Sequence, residues 1–158
     1  MNPQINAANL YYHGGGWAIA LAAECAAAQR TIHLSALSMI PPTPNGTGAW
    51  PELWCAWKAA AARGVAVHIW LAAPSPIHPA TRANMTAGKA ASSAGIQMHY
   101  ITGNRLLHAK TAVIDATTIW IGSGNFTAAA AHHNHEAYMR ADCPAIARQI
   151  IDRWQSLA

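Results

Sequence analysis

The sequence predicts an α/β fold in which a mixed, mostly parallel central sheet carries helices on both faces. Three observations lead there. Short β-rich runs alternate with Ala-rich helical runs along the whole chain, the pattern of strand–helix–strand units. Gly and Pro fall at the junctions between them. The 158 residues suit one domain with a sizeable core.

Residues 9–12 read as a short strand closed by the glycines 14–16, and residues 17–29 as an Ala-rich helix ending near Arg30. Residues 31–40 follow as a strand with Ile32, Leu34 and Ala36 on one face. The stretch 41–48 (PPTPNGTG) is dense in turn residues and reads as a loop. Pro51 suits the first turn of a helix that runs to Arg63, with Gly64 as its C-terminal cap. Residues 65–72 are almost wholly apolar, so they should form a strand buried on both faces. A helix over 79–93, stopped by Gly95, and a strand over 96–101 come next. Residues 108–115 and 118–121 read as two strands joined by a tight turn, 125–131 as a short helix, 134–140 as a strand and 144–157 as a closing amphipathic helix.

Composition narrows the function classes. Apolar residues make up 53% of the chain and charged residues 10%, which excludes a disordered chain. Much of the apolar content is alanine, so the core should rest on small side chains. Seven Trp against one Phe is an aromatic choice that composition alone does not explain. The net charge of +4 is compatible with an anionic partner without being a nucleic-acid signature. Cys25, Cys55 and Cys143 are too scattered for a disulfide framework or a zinc knuckle and read as buried free thiols in a reducing compartment. The apolar stretch 17–28 is shorter than the ~20 residues of a membrane span and is interrupted by Glu24. No Lys or Arg precedes Arg30, so a signal peptide's positive segment is missing. A cytoplasmic location is the expectation.

The chemistry concentrates from His108 onward. His108 and Lys110 are two apart and should project together from one strand end. An imidazole nucleophile beside an ammonium suits attack on a phosphodiester, because the cation neutralises phosphate oxygens as the nitrogen approaches phosphorus. Gly122-Ser123-Gly124-Asn125 offers backbone N–H groups, a hydroxyl and an amide to an anion. Asn134 and Glu136 should share a strand face, where Glu136 could accept a hydrogen bond from His108 and fix its tautomer.

His108-x-Lys110, four residues, Asp115, six residues, then Gly122-Ser123-x-Asn125 resembles the HKD motif of the phospholipase D superfamily. Arg63-Gly64-Val65-x-Val67, Asn134-x-Glu136 and the final helix with Trp154 are similar to the small single-motif bacterial nucleases of that superfamily. The resemblance implies a phospholipase D-like fold and a phosphohistidine intermediate on His108. It also implies that Lys110, Asn125 and Ser123 hold the phosphate, that Asp115 supports the site and that Glu136 orients a histidine. No cofactor or metal is implied. The chain carries one such motif, and the resemblance implies that two copies pair as a homodimer to bring two His108 residues together.

The reading is therefore a metal-independent phosphodiesterase, first a nuclease acting on DNA or RNA. A phospholipase acting on phosphatidyl groups and a non-catalytic nucleic-acid-binding module are the alternatives. Arg105, with Arg82 and Lys89, is a candidate for the substrate rim. His132, His133 and His135 read as loop histidines in preference to a metal site, since zinc ligands usually come from two segments. His13 and the glycines after it read as a turn, because the Gly-x-Ser-x-Gly elbow that an esterase oxyanion loop would need is missing. Cys143 before Pro144 reads as structural.

Overall fold

The structure, a computed structural model, describes residues 8–12 and 15–157. Strands β1 (Ala8–Tyr12), β2 (Thr31–Ala36), β3 (Ala66–Ala72), β4 (Gln97–Ile101), β5 (Lys110–Ile114), β6 (Thr118–Gly122) and β7 (Ala137–Asp142) form a seven-stranded sheet in the order β1-β7-β6-β5-β2-β3-β4. Helices α1 (Gly16–Ala27), α2 (Ala49–Ala62) and α3 (Asn84–Ser92) pack on one face, and α5 (Pro144–Gln155) covers the other. The short α4 (Ala128–His132) follows the β6 loop. The sheet is mixed, as expected, but the balance of directions is not the expected one. Only β2–β3 and β3–β4 are parallel, while β1–β7, β7–β6, β6–β5 and β5–β2 are antiparallel. The connection after β4 carries the chain back past β3 and β2, and β5 then enters the sheet antiparallel to β2. Local periodicity does not encode that reversal.

The helix expected over 79–93 is divided into a one-turn 3₁₀ helix, Pro79–Thr81, and α3. Gly64 and Gly95 follow their helices with φ of 91° and 82°, the left-handed conformation that closes a helix end. The turn read at His13 and Gly14 lies outside the described residues, while Gly15 stands at the N-cap of α1. Among the described residues no helix is long and apolar enough to cross a membrane. Cys25 and Cys143 are buried free thiols as expected, but Cys55 is exposed, because α2 turns its Trp50, Trp54 and Trp57 stripe inward instead.

The core explains the Trp-rich, Phe-poor composition. Helices α1 and α2 approach through alanines and leave space that large rings fill. Trp50 meets Trp54 and Trp57 edge to face, and Phe126 stands 4.9 Å from Trp57. Trp17 stacks on Tyr138 at 4.4 Å. Glu24, which breaks the apolar run of α1, accepts hydrogen bonds from Trp120 Nε1 and Arg140 Nε, both at 2.8 Å.

On the opposite face of the sheet, His33, His68 and His99 form a ladder across β2, β3 and β4 beside Trp70. Ring centroids lie 5.0 Å apart for His33–His68 and 5.5 Å for His68–His99, and His68 Nδ1 is 3.2 Å from His99 Nε2. Burial, followed by the nearness of His68 and His99, depresses the His33 pKa to about 4. Burial also lowers those of His68 and His99. The unfolded chain binds these protons near pH 6.5 and the folded chain binds them only at lower pH, so stability is complete above pH 6.5 and is lost as pH falls toward 4. For His33 alone the loss at pH 5 is about 2 kcal/mol. Thermal melts should show a lower Tm at pH 5 than at pH 7.5, and a smaller drop for His33→Gln. A Tm that does not fall would refute the linkage.

Candidate active site

One end of the sheet gathers the chemistry. The C-terminal ends of β2, β3, β4 and β6 lie there with the N-terminal ends of β5 and β7, because of how the strands pair. Lys110 is the first residue of β5, opposite Gly122 at the end of β6. His108 lies two residues before the strand rather than on it, in an exposed loop position. What joins the two side chains is therefore the lysine bending back. Lys110 Nζ donates to the His108 carbonyl at 2.7 Å and stands 3.2 Å from Nδ1 and 3.3 Å from Nε2 of the same ring. The ammonium can only donate, and at nearly equal distances from the two ring nitrogens it selects neither tautomer. Lys110 is 5% exposed. Burial lowers its pKa, and the nearby Glu136 carboxylate works against that fall.

The β6 loop is built by close packing. A Cβ on Gly122 would fall on the Tyr138 ring, and one on Gly124 would meet Tyr138 at 3.2 Å and Glu136 at 3.3 Å. Tyr138 in turn donates its hydroxyl to the Gly124 carbonyl at 2.5 Å. The two glycines thus let β7 lie tight against the loop. Asn125 follows, its Oδ1 accepting the Ser38 amide at 3.2 Å. No hydrogen bond within the described residues uses its Nδ2, which leaves two N–H donors for a ligand.

Three residues take roles other than the expected ones. The Ser123 hydroxyl donates to Glu136 and accepts the Ala137 amide at 3.1 Å. Its one proton is committed, so Ser123 holds the carboxylate instead of an anion. Glu136 lies just before β7, and its other oxygen accepts from Asn134 Nδ2 at 3.0 Å. Within one chain it braces the loop and faces Lys110 in place of bonding His108. Asp115 is the larger correction. It sits past the far end of β5, about 16 Å along the strand from Lys110. There its carboxylate accepts the backbone N–H groups of Gln29, Arg30 and Thr31 at 2.8–2.9 Å. Those three bonds, with Arg30, hold its pKa below the ordinary value although burial opposes them. Asp115 and Ala116 both take positive φ, the backbone of a type I′ hairpin turn. Asp115 is structural.

Arg105 is placed near the site, where it borders a cavity that His108 also lines. Arg82 follows the 3₁₀ turn and Lys89 lies in the last turn of α3, and neither lines that cavity. His132 packs against Gly48 and meets His133 edge-on at 6.2 Å. Among the described residues no three metal-ligating side chains converge. Cys143 caps α5 and is buried.

Sequence reasoning missed the support beneath the site. Asn84 is fully buried and accepts the Met39 amide at 2.9 Å while donating to the carbonyls of Leu37 at 2.9 Å and Ala72 at 2.8 Å. It clamps the ends of β2 and β3 and so fixes Ser38 against Asn125. Its partners lie 12 to 47 residues away in sequence, and an Asn in a helical stretch carries no local sign of such contacts. Asn84→Ala strands buried polar groups and should cost about 3 kcal/mol in urea denaturation. A variant within 1 kcal/mol of the wild type would show that the clamp is not needed.

A family model described as cardiolipin synthase, PLD-like domain, matches residues 21–158. No curated protein matches the chain significantly. Among solved structures, a phospholipase D family member, Nuc from Salmonella typhimurium, is 24% identical with a TM-score of 0.79, over 96% of this chain and 93% of that one. NucT from Helicobacter pylori is 16% identical with a TM-score of 0.66, over 96% of each chain. A phosphatidylserine synthase from Haemophilus influenzae is 12% identical with a TM-score of 0.68, over 95% of this chain and 38% of that one. At such identities the likeness to these structures is one of fold.

Proposed function

The chain belongs to the PLD-like domain family of the phospholipase D superfamily, and from that premise we propose that it is a metal-independent nuclease that hydrolyses phosphodiester bonds of DNA or RNA. One observation carries the proposal. A buried ammonium is held against an exposed imidazole, beside an Asn125 amide whose N–H groups are free. His108 attacks phosphorus, forming a P–N bond as the P–O bond to the leaving group breaks. Lys110 and Asn125 carry the charge that builds on the non-bridging oxygens. Water then cleaves the P–N bond and frees His108.

The leaving oxygen needs a proton, and Lys110 is a poor donor near neutral pH. A second His108, from a two-fold related copy, fits that task. The active form is thus a homodimer with a shared site and an interface of roughly 1,200–2,000 Å². Exposed Ile40, Leu106 and Ile121 at the site end of the sheet suit such a contact. The free thiols suit a reducing compartment, and a cytoplasmic location is part of the reading.

Those same apolar side chains favour one rival reading, a phosphatidyl hydrolase or transferase. Purified protein should be given labelled single- and double-stranded nucleic acid, and separately phosphatidylglycerol vesicles, with excess EDTA throughout. Nucleic-acid cleavage unchanged by EDTA is expected. Cleavage lost on chelation and restored by Mg²⁺ or Zn²⁺ would sink the His108 mechanism. Turnover of the vesicles alone would establish the rival.

A further inference from the structure

Beside His108 lies a cavity of about 510 Å³ between the β4–β5 loop and the last turn of α5. Its floor is apolar, formed by Ile101, Leu107 and Trp154. Trp154 is fixed there by its Nε1, which donates to Thr111 Oγ1 at 3.3 Å on the site strand β5. Arg105 and Arg153 border the space from the two walls, and no acidic residue lines it. Neither guanidinium has a carboxylate partner among the described residues, whereas Arg140 is paired with both Glu24 and Asp142.

Unpaired arginines facing a cavity without counter-charge are suited to an anion, and the guanidinium fork matches phosphate oxygens. The volume lies within the range of small-ligand sites. An apolar floor ending in an indole suits a flat aromatic group. We propose that this cavity is a subsite for the nucleotide that flanks the scissile phosphate, with its base over Trp154 and its far phosphate between Arg105 and Arg153. The inference rests on the nuclease reading and adds what that reading lacks, a preference for diesters that continue as a chain beyond the bond cleaved. Acyl chains are disfavoured, because Thr102, Asn104 and both arginines border the same space.

Arg153 is exposed at the end of α5, so its replacement leaves the core intact. The test compares a single-stranded oligonucleotide with bis(4-nitrophenyl) phosphate, a diester with no flanking phosphate. Arg153→Ala should raise KM at least ten-fold on the oligonucleotide and change kcat/KM less than two-fold on the small diester. Binding is read separately in a His108→Ala background. There the slope of log affinity against log salt should shrink by about 0.7 for each phosphate contact removed. Arg148→Ala, on the same helix but at the Asp115 end of the sheet, should leave that slope unchanged. Equal losses on both substrates, an unchanged KM and slope, or the same change from Arg148→Ala would each overturn the subsite while leaving the nuclease reading intact. A wild-type protein that cleaves neither substrate overturns the nuclease reading, and the subsite with it. If Arg153→Ala weakens binding to phosphatidylglycerol vesicles and not to the oligonucleotide, the cavity is a lipid site and the inference fails.

Discussion

His108→Ala is expected to lower turnover by on the order of 10⁴-fold or more, since the nucleophile of a covalent pathway has no substitute. The fold should survive. His108 is exposed and lies outside the strands, and Lys110 retains its bond to the backbone carbonyl at position 108, which the substitution does not remove. Circular dichroism and Tm should match the wild type, so the lost rate can be assigned to chemistry. Lys110→Ala should cost roughly 10²–10³-fold through lost charge stabilisation. It should also cost some stability, because its aliphatic stem is buried. A His108→Ala protein that turns over near the wild-type rate would refute the assignment.

Mixing chains gives the second large effect. When wild-type and His108→Ala chains are combined equally and allowed to exchange, a shared site that needs two histidines works only in wild-type pairs. Activity should then fall to about one quarter of that of the same total of wild-type chains, whereas independent sites would leave about one half. Isolated heterodimers, purified through two different tags, should be nearly inactive. A monomer by light scattering that keeps full activity would contradict the pairing directly.

Much of this was legible in the sequence, for identifiable reasons. Strands and helices announced themselves through alternating apolar residues at 32, 34 and 36, Pro51 in the first turn of α2, and Gly64 and Gly95 at helix ends. His108, Lys110 and Asn125 were found because they are close in sequence and meet across one pair of neighbouring strands. What stayed hidden was set by contacts distant in sequence. The direction of β5 beside β2 depends on where a long connection returns. The Asn84 clamp and the Ser38–Asn125 bond join segments 45 and 87 residues apart. Ser123 and Glu136 were recognised as site residues, but their bond to each other changes what they do. The Arg153 wall of the cavity lies 45 positions from His108 and has no motif to mark it.

The placement of Asp115 changes what the fixed spacing from Lys110 measures. The four residues between them are the remainder of one strand, Thr111–Ile114, with the lysine at one end of the sheet and the aspartate locking the other. The interval acts as a ruler. One inserted residue would leave Asp115 able to find its three amides only if every side chain before it changed faces, which would turn Lys110 to the opposite face of the sheet. One deleted residue would do the same from the other side. That gap is a tolerance on strand length, imposed by an anchor at the end of the sheet away from Lys110.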